Sequence, residues 1–157
     1  IGTVGIHEKI EIAKNYGCEE VINYNKEDFA KKVMELTDGK GVSVVYDGVG
    51  KSTYDKSIEC LKLRGTMVSF GNASGALDPI IVSKSLQPKG IYFVRPAMNQ
   101  YFTNSEEIHE AANMLFKQIS SGNVKIEIYK KYKLEDAVQA HKDLEGRKIT
   151  GPAVIIP

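Results

Sequence analysis

The chain of 157 residues contains no tryptophan and only two cysteines, Cys18 and Cys60. Both lie in or beside helical patterns and far apart in sequence. That fits free thiols in a reducing compartment better than a disulfide framework, so a cytoplasmic location is expected. Histidine is scarce too: His7, His109 and His141 do not cluster, and no Cys/His spacing fits zinc. No Ser/His/Asp arrangement can be argued, and no residue is expected to act as a covalent nucleophile. No apolar run approaches the roughly 20 residues of a membrane-spanning helix. The first residues lack the basic segment and long apolar run of a signal peptide. A charge excess is missing as well: 21 Lys and Arg stand against 20 Asp and Glu, a net charge of +1. That balance gives no membrane-surface signal and argues against strong, salt-dependent nucleic-acid binding.

What is present is an ordinary globular composition, 42% apolar and 26% charged, in a chain long enough to bury a real core. Its most informative stretch runs from Val42 to Gly75. VSVVYDGVG reads as a strand and a glycine turn, KSTYDKSIECLKL as an amphipathic helix, RGTMVSF as a second strand and GNASG as a second glycine-rich loop. A continuous β-branched run fits a strand covered on both faces, the habit of parallel sheets. Two such strands joined by one helix make a right-handed βαβ unit, and in open sheets of this kind ligands bind at the carboxyl ends of the strands. Both glycine loops sit at those ends.

Around this block the pattern is consistently α/β. Ile1 to Gly5 reads as the end of a strand running into a helix marked by Ile6, Ile10, Ala13 and Tyr16, with Gly17 as its stop. Val21–Tyr24 is a short strand, and Phe29, Val33 and Leu36 stripe the next helix. Ser52 with Asp55 resembles a cap for the helix carrying Ile58 and Leu61, and Thr66–Phe70 is the strand after it. A short helix near Ile81–Leu86 leads to the strand Ile91–Val94. Thr103 with Glu106 reads as a capping box for the helix of Ile108, Ala112, Leu115 and Ile119, stopped by Gly122. The tail follows: a Lys-rich edge strand over Val124–Tyr132, a short helix from Leu134 to Leu144 and a last strand, Ala153–Ile156. His141, at helical spacing with Ala137 and Leu144, is expected as a packed histidine.

Three places carry candidate chemistry. Gly48-Val49-Gly50-Lys51-Ser52 ends like a phosphate-binding loop, but that loop needs a glycine five residues before Gly50, where Val45 stands. It also misses the dinucleotide fingerprint, whose third glycine would be Thr53. The turn either lets the strand meet its helix or lets a flat ligand lie close to the backbone. Gly71–Gly75 offers small residues and backbone N–H groups to a polar ligand. Gly5 and Lys9 follow a strand end that carries no acidic residue. An NAD site has a carboxylate there for the ribose 2′-hydroxyl, whereas a lysine in the first helical turn favours a phosphate. That pattern suits NADPH, against the simpler reading of a solvated lysine. Arg95, beside Pro96, either meets an anionic group or caps the sheet edge.

Taken together, IGTVG with Lys9, VINY, VVYDGVG, RGTMVSFGNASG, FVRP and the tail DAVQAHKDLEGRKITGPAVIIP resemble the NADPH:quinone oxidoreductases. These form the zinc-independent, zeta-crystallin-like branch of the medium-chain dehydrogenase/reductase superfamily. The resemblance covers the whole chain. It implies a Rossmann domain inserted into a GroES-like catalytic domain, NADPH in the cleft between them, and hydride transfer to a quinone without a metal. Carried over by position, Gly5 and Lys9 hold the adenosine ribose and its 2′-phosphate, and Tyr24 covers the same end. Val49 lines the adenine side, Asn72, Ala73 and Ser74 face the cofactor near the nicotinamide, Phe93, Val94 and Arg95 line the nicotinamide side, and Arg147 reaches the cofactor from the tail. The strand Ile91–Val94 pairs with its mate in a homodimer.

On this resemblance, residues 1–122 are a truncated dinucleotide-binding domain and residues 123–157 the C-terminal β-α-β segment of the catalytic domain. The parallel sheet then lacks its first strand and its glycine-rich pyrophosphate turn, which a missing N-terminal half would supply. The competing expectation is a non-catalytic folded or dimerising remnant of such an enzyme.

Overall fold

Parallel strand pairing organises this chain throughout. The computed structural model describes residues 1–146 and 148–157. They divide into two compact units, Ile1–Tyr101 and Phe102–Pro157.

In the first unit, β1 (Gly2–Val4) leads to α1 (Lys9–Asn15) and pairs in parallel with β2 (Val21–Asn23). Helix α2 (Phe29–Leu36) follows, capped by Asp28, whose carboxylate accepts from the Ala30 and Lys31 amides. Then come β3 (Val42–Asp47), α3 (Tyr54–Glu59), β4 (Leu61–Ser69), the single-turn α4 (Val82–Ser85), β5 (Tyr92–Val94) and α5 (Met98–Tyr101). Strands β3, β4 and β5 form one parallel sheet in that order. The α/β class read from the sequence is the observed one, including the β3–α3–β4 unit and both glycine loops at carboxyl ends. β1 and β3 each keep one edge free of a strand partner among the described residues, and a cavity of about 390 Å3 lies between them, lined by Gly2, Thr3, Val44 and Tyr46 among others.

Two apolar clusters hold this unit. Ile22, Phe29, Ala30, Val33 and Cys60 form one; Tyr54, Ile58, Leu61, Met67 and Ile91 form the other. Val42 and Val45 of β3 pack against both, so one strand ties them together. Met67 is fully buried, as expected for the middle of a central strand. Lys89 closes α3 from outside: its ammonium donates to the carbonyls of Ile58, Glu59 and Leu61 at 3.3, 2.7 and 2.7 Å. A cation at a helix C-terminus satisfies carbonyls the helix itself leaves open.

Several local expectations are corrected. β4 begins at Leu61, five residues before Thr66, because Leu61 pairs with Val42 ahead of a register shift. The chain turns between them at Arg64, a left-handed non-glycine residue with φ of 60°. Thr53, not Ser52, flanks α3, and its hydroxyl is committed elsewhere. The β-branched run of β3 is covered on one face only in this chain: Val44 and Tyr46 are 41% and 74% exposed. Periodicity registers that a strand is apolar on both faces and is silent on what covers them.

In the second unit, α6 (Ser105–Ser120) ends at Ser121 and the left-handed Gly122. Its cap is shifted by one residue from the expected box. Asn104 accepts from the Glu107 amide, and the Glu107 carboxylate accepts from both the amide and the hydroxyl of Thr103. β6 (Lys130–Lys133) pairs in parallel with β7 (Ala153–Ile156) across α7 (Ala137–Glu145). The expected strand over Val124–Tyr132 shrinks to this four-residue piece. Asp143, buried on α7, accepts from the Tyr132 hydroxyl at 2.8 Å, Gln139 at 2.8 Å and the Lys130 ammonium at 3.2 Å. His141 is exposed instead of packed, as are His7 and His109.

Candidate functional site

The expected site residues of the first unit fall at the carboxyl ends of its strands. At the end of β1, Gly5 meets Tyr24, which follows β2. A Cβ built on Gly5 would stand 2.7 Å from the Tyr24 hydroxyl. The parallel register Val4↔Asn23 brings them together. Asn25, which sequence reading passed over, fastens the pair by donating its side-chain amide to the Gly5 carbonyl at 2.7 Å. Lys9 opens α1 beyond this corner, half-buried, and forms no ion pair among the described residues.

At the ends of β3 and β4 the two glycine loops are zipped to each other. The Gly48 carbonyl accepts from the Ala73 amide at 3.2 Å, the Val49 carbonyl from the Ser74 amide at 2.7 Å and the Ser74 hydroxyl at 2.8 Å, and the Gly75 carbonyl from the Lys51 amide at 3.2 Å. The Ser52 amide donates back to Ser74 Oγ at 3.0 Å. Glycine here serves the zip. A Cβ on Gly50 would lie 2.8 Å from the Gly75 carbonyl oxygen, and one on Gly71 would run into the Gly48 carbonyl. The room these two residues provide is taken by backbone of the facing loop, not left open for a flat ligand. Val49 is half-buried beside the cavity, Ser74 is inside the zip, and Asn72 and Ala73 are exposed.

At the end of β5, Phe93 and Val94 alternate faces. Phe93 packs edge-on against Tyr54, with ring centroids 6.3 Å apart, and so contributes to the core. Arg95 reaches back over β4, donating to the Ser69 carbonyl, the Ser69 hydroxyl and the Gly71 carbonyl at 2.9, 3.0 and 3.3 Å. All three partners are neutral, so its charge has no acidic partner among the described residues. Arg147 lies outside the described residues.

Sequence reading missed Asp47. Its carboxylate is buried beneath the first glycine loop, with Thr53 and Ser57 donating to it from α3. The available signal was an aspartate closing an apolar strand, followed by two hydroxyl residues spaced i, i+4 on one helix face. Cys60 is buried, and that burial pushes its thiol up to about 11. Among the described residues no three His, Cys, Asp or Glu side chains are grouped to hold a metal ion, and no helix is long and apolar enough to cross a membrane.

The model of a family described as zinc-binding dehydrogenase matches residues 16–155. Quinone oxidoreductase 1 of Escherichia coli is 44% identical over 159 residues, covering 100% of this chain and 49% of the relative. A 2-haloacrylate reductase from a Burkholderia species is also 44% identical, over 158 residues, covering 100% of this chain and 47% of the relative. Among solved structures, the Escherichia coli quinone oxidoreductase complexed with NADPH superposes with a TM-score of 0.93 at 44% identity, over 99% of this chain and 48% of that one. The chain thus spans about half the length of the relatives it matches.

Proposed function

This chain belongs to the zinc-binding dehydrogenase family, on its quinone oxidoreductase branch, and we propose from that membership that it supplies the C-terminal part of an enzyme moving hydride from NADPH to a quinone. The observation that carries the reading is Arg95. Its guanidinium is held by neutral acceptors against the second glycine loop, where the positive charge is left for an anionic ligand. Lys9, likewise without an acidic partner among the described residues, stands beyond the Gly5–Tyr24 corner. This donor set fits a phosphate-bearing dinucleotide. Its arginine and lysine are not zinc ligands, in spite of the family's description.

In this reading Gly5, Lys9 and Tyr24 hold the adenosine ribose and its 2′-phosphate, and Val49 borders the adenine. Asn72, Ala73, Ser74, Phe93, Val94 and Arg95 border the nicotinamide side. NADPH supplies the hydride when bound; the chain's own residues bind and orient it. Residues 1–122 act as the nucleotide domain and 123–157 as part of the catalytic domain. The setting is cytoplasmic, and pairs of chains associate through Ile91–Val94. The one-sided pairing of β5 among the described residues and the 65% exposure of Tyr92 support that edge as the contact.

A second substrate reading has equal support from identity, because the 2-haloacrylate reductase matches as well as the quinone oxidoreductase does. The test titrates the chain with NADPH and NADH and follows NADPH oxidation with a benzoquinone and with 2-chloroacrylate. Preferred NADPH binding with quinone turnover supports the first reading, and turnover of the haloacrylate alone replaces it with the second. NADPH binding without turnover of either leaves a nucleotide-binding, non-catalytic chain. No binding of either nucleotide refutes the assignment of a nucleotide site to this chain.

A further inference from the structure

We propose that Asp47 is a positioning residue of this nucleotide site, setting both glycine loops through one buried carboxylate. The inference rests on the NADPH reading above. Asp47 is only 4% exposed. Its Oδ1 accepts from the amides of Val49 at 2.8 Å and Gly50 at 2.9 Å, and from Thr53 Oγ1 at 3.0 Å. Its Oδ2 accepts from Thr53 Oγ1 and Ser57 Oγ, both at 2.8 Å. The single Thr53 proton serves one oxygen at a time. Among the described residues no lysine or arginine shares the group, so there the charge is carried by neutral donors alone.

A buried carboxylate is costly to keep, and a turn can be closed by neutral groups. What the charge adds here is grip on two successive amides at once, since hydrogen bonds to an ionised acceptor are about twice as strong as neutral ones. Fixing the Val49 and Gly50 amides fixes the direction of the Gly48 and Val49 carbonyls. Those are the two acceptors that hold the Ala73 and Ser74 amides of the second loop. One side chain therefore orders Val49, Ala73 and Ser74 in series. With its oxygens committed to these donors, Asp47 acts through the loops and not on the ligand itself.

The test compares wild type, Asp47→Asn and Ser57→Ala by amide hydrogen exchange and by NADPH affinity. Asp47→Asn keeps the shape and one acceptor but loses the charge. It is expected to speed exchange at Val49, Gly50, Ala73 and Ser74 together by about tenfold, leave Met67 unchanged, and weaken NADPH by about tenfold. If Asp47→Asn does not fold, Ser57→Ala, which removes one donor and leaves the carboxylate, must show the same four-residue pattern at smaller size. A purely structural aspartate would instead speed all amides alike and leave NADPH affinity of the folded protein intact. Acceleration confined to the first loop, or NADPH affinity unchanged in folded Asp47→Asn, overturns the role. Wild-type protein that binds no NADPH overturns the cofactor reading itself, and the positioning role with it.

Discussion

Replacing Gly50 by alanine measures the loop zip directly. Gly50 has φ of 89°, a conformation that costs an L-residue about 1–2 kcal/mol. The new Cβ would also stand 2.8 Å from the Gly75 carbonyl oxygen and 3.2 Å from Asn72 Cα. Both neighbours are backbone and cannot swing away, so the second loop must retreat by several tenths of an ångström. The first bond lost is Lys51 amide to Gly75 carbonyl, already 3.2 Å long; Ala73 amide to Gly48 carbonyl, also 3.2 Å, follows. At about 0.5–1.5 kcal/mol each, the loss adds about 1–3 kcal/mol to the backbone cost. The total is about 2–5 kcal/mol, or a fall in Tm of roughly 4–20 °C at this chain length. Gly39→Ala is the control: φ is 74° and nothing lies within 4 Å of its Cβ position, so only the backbone cost of about 1–2 kcal/mol applies. Urea and thermal unfolding of both variants decide it. Equal destabilisation by the two substitutions would refute the interlocking of the loops.

Lys9→Ala is expected to weaken NADPH about 10- to 100-fold, the range for a lost hydrogen bond to a charged group, with NADH little affected; equal weakening measured by fluorescence titration would remove the 2′-phosphate role. Met67→Ala, at the fully buried centre of β4, should cost about 2–5 kcal/mol in urea unfolding, and a cost below about 1 kcal/mol would show that the site is not close-packed. Hydrogen bonds from Tyr132, then Gln139 and Lys130, hold the Asp143 carboxyl down at about 2, below its ordinary value of 3.8. Its stabilisation is therefore complete above about pH 4 and drains away as pH falls through 2. Asp143→Asn should flatten the drop in Tm between pH 4 and pH 2, and an unchanged acid limb would refute that assignment.

Much of the site's outline was legible in the sequence because strand ends announce themselves locally. An apolar β-branched run followed by glycine marks β3 and its turn, and the same pattern marks β4. The parallel register then brings Gly5 to Tyr24 without further information. Less legible were features set by residues distant in sequence. Ser52 and Thr53 are equally good cap candidates by type, but only the folded chain shows Thr53 turned towards Asp47. Thr103 and Asn104 differ by one position, and the choice fell to the residue whose backbone is extended at the helix start. The sequence leaves open whether the first loop's glycines serve the turn or make space for a flat ligand; space is a property of the surroundings, and at Gly50 and Gly71 the facing loop's backbone occupies it.

Alternation and turn chemistry, which act over a few residues, determined by themselves that the chain is α/β, that β3, α3 and β4 follow one another, and that two glycine loops close the strands. The tertiary structure alone decided that the loops grip each other, that a buried carboxylate at Asp47 orders both, that Arg95 keeps its charge without an acidic partner among the described residues, and that one face of β3 stays open in this chain. Hydrogen-bond partners and burial depend on which segments meet in space, and that is settled by packing of the whole unit, not by the pattern within any one segment.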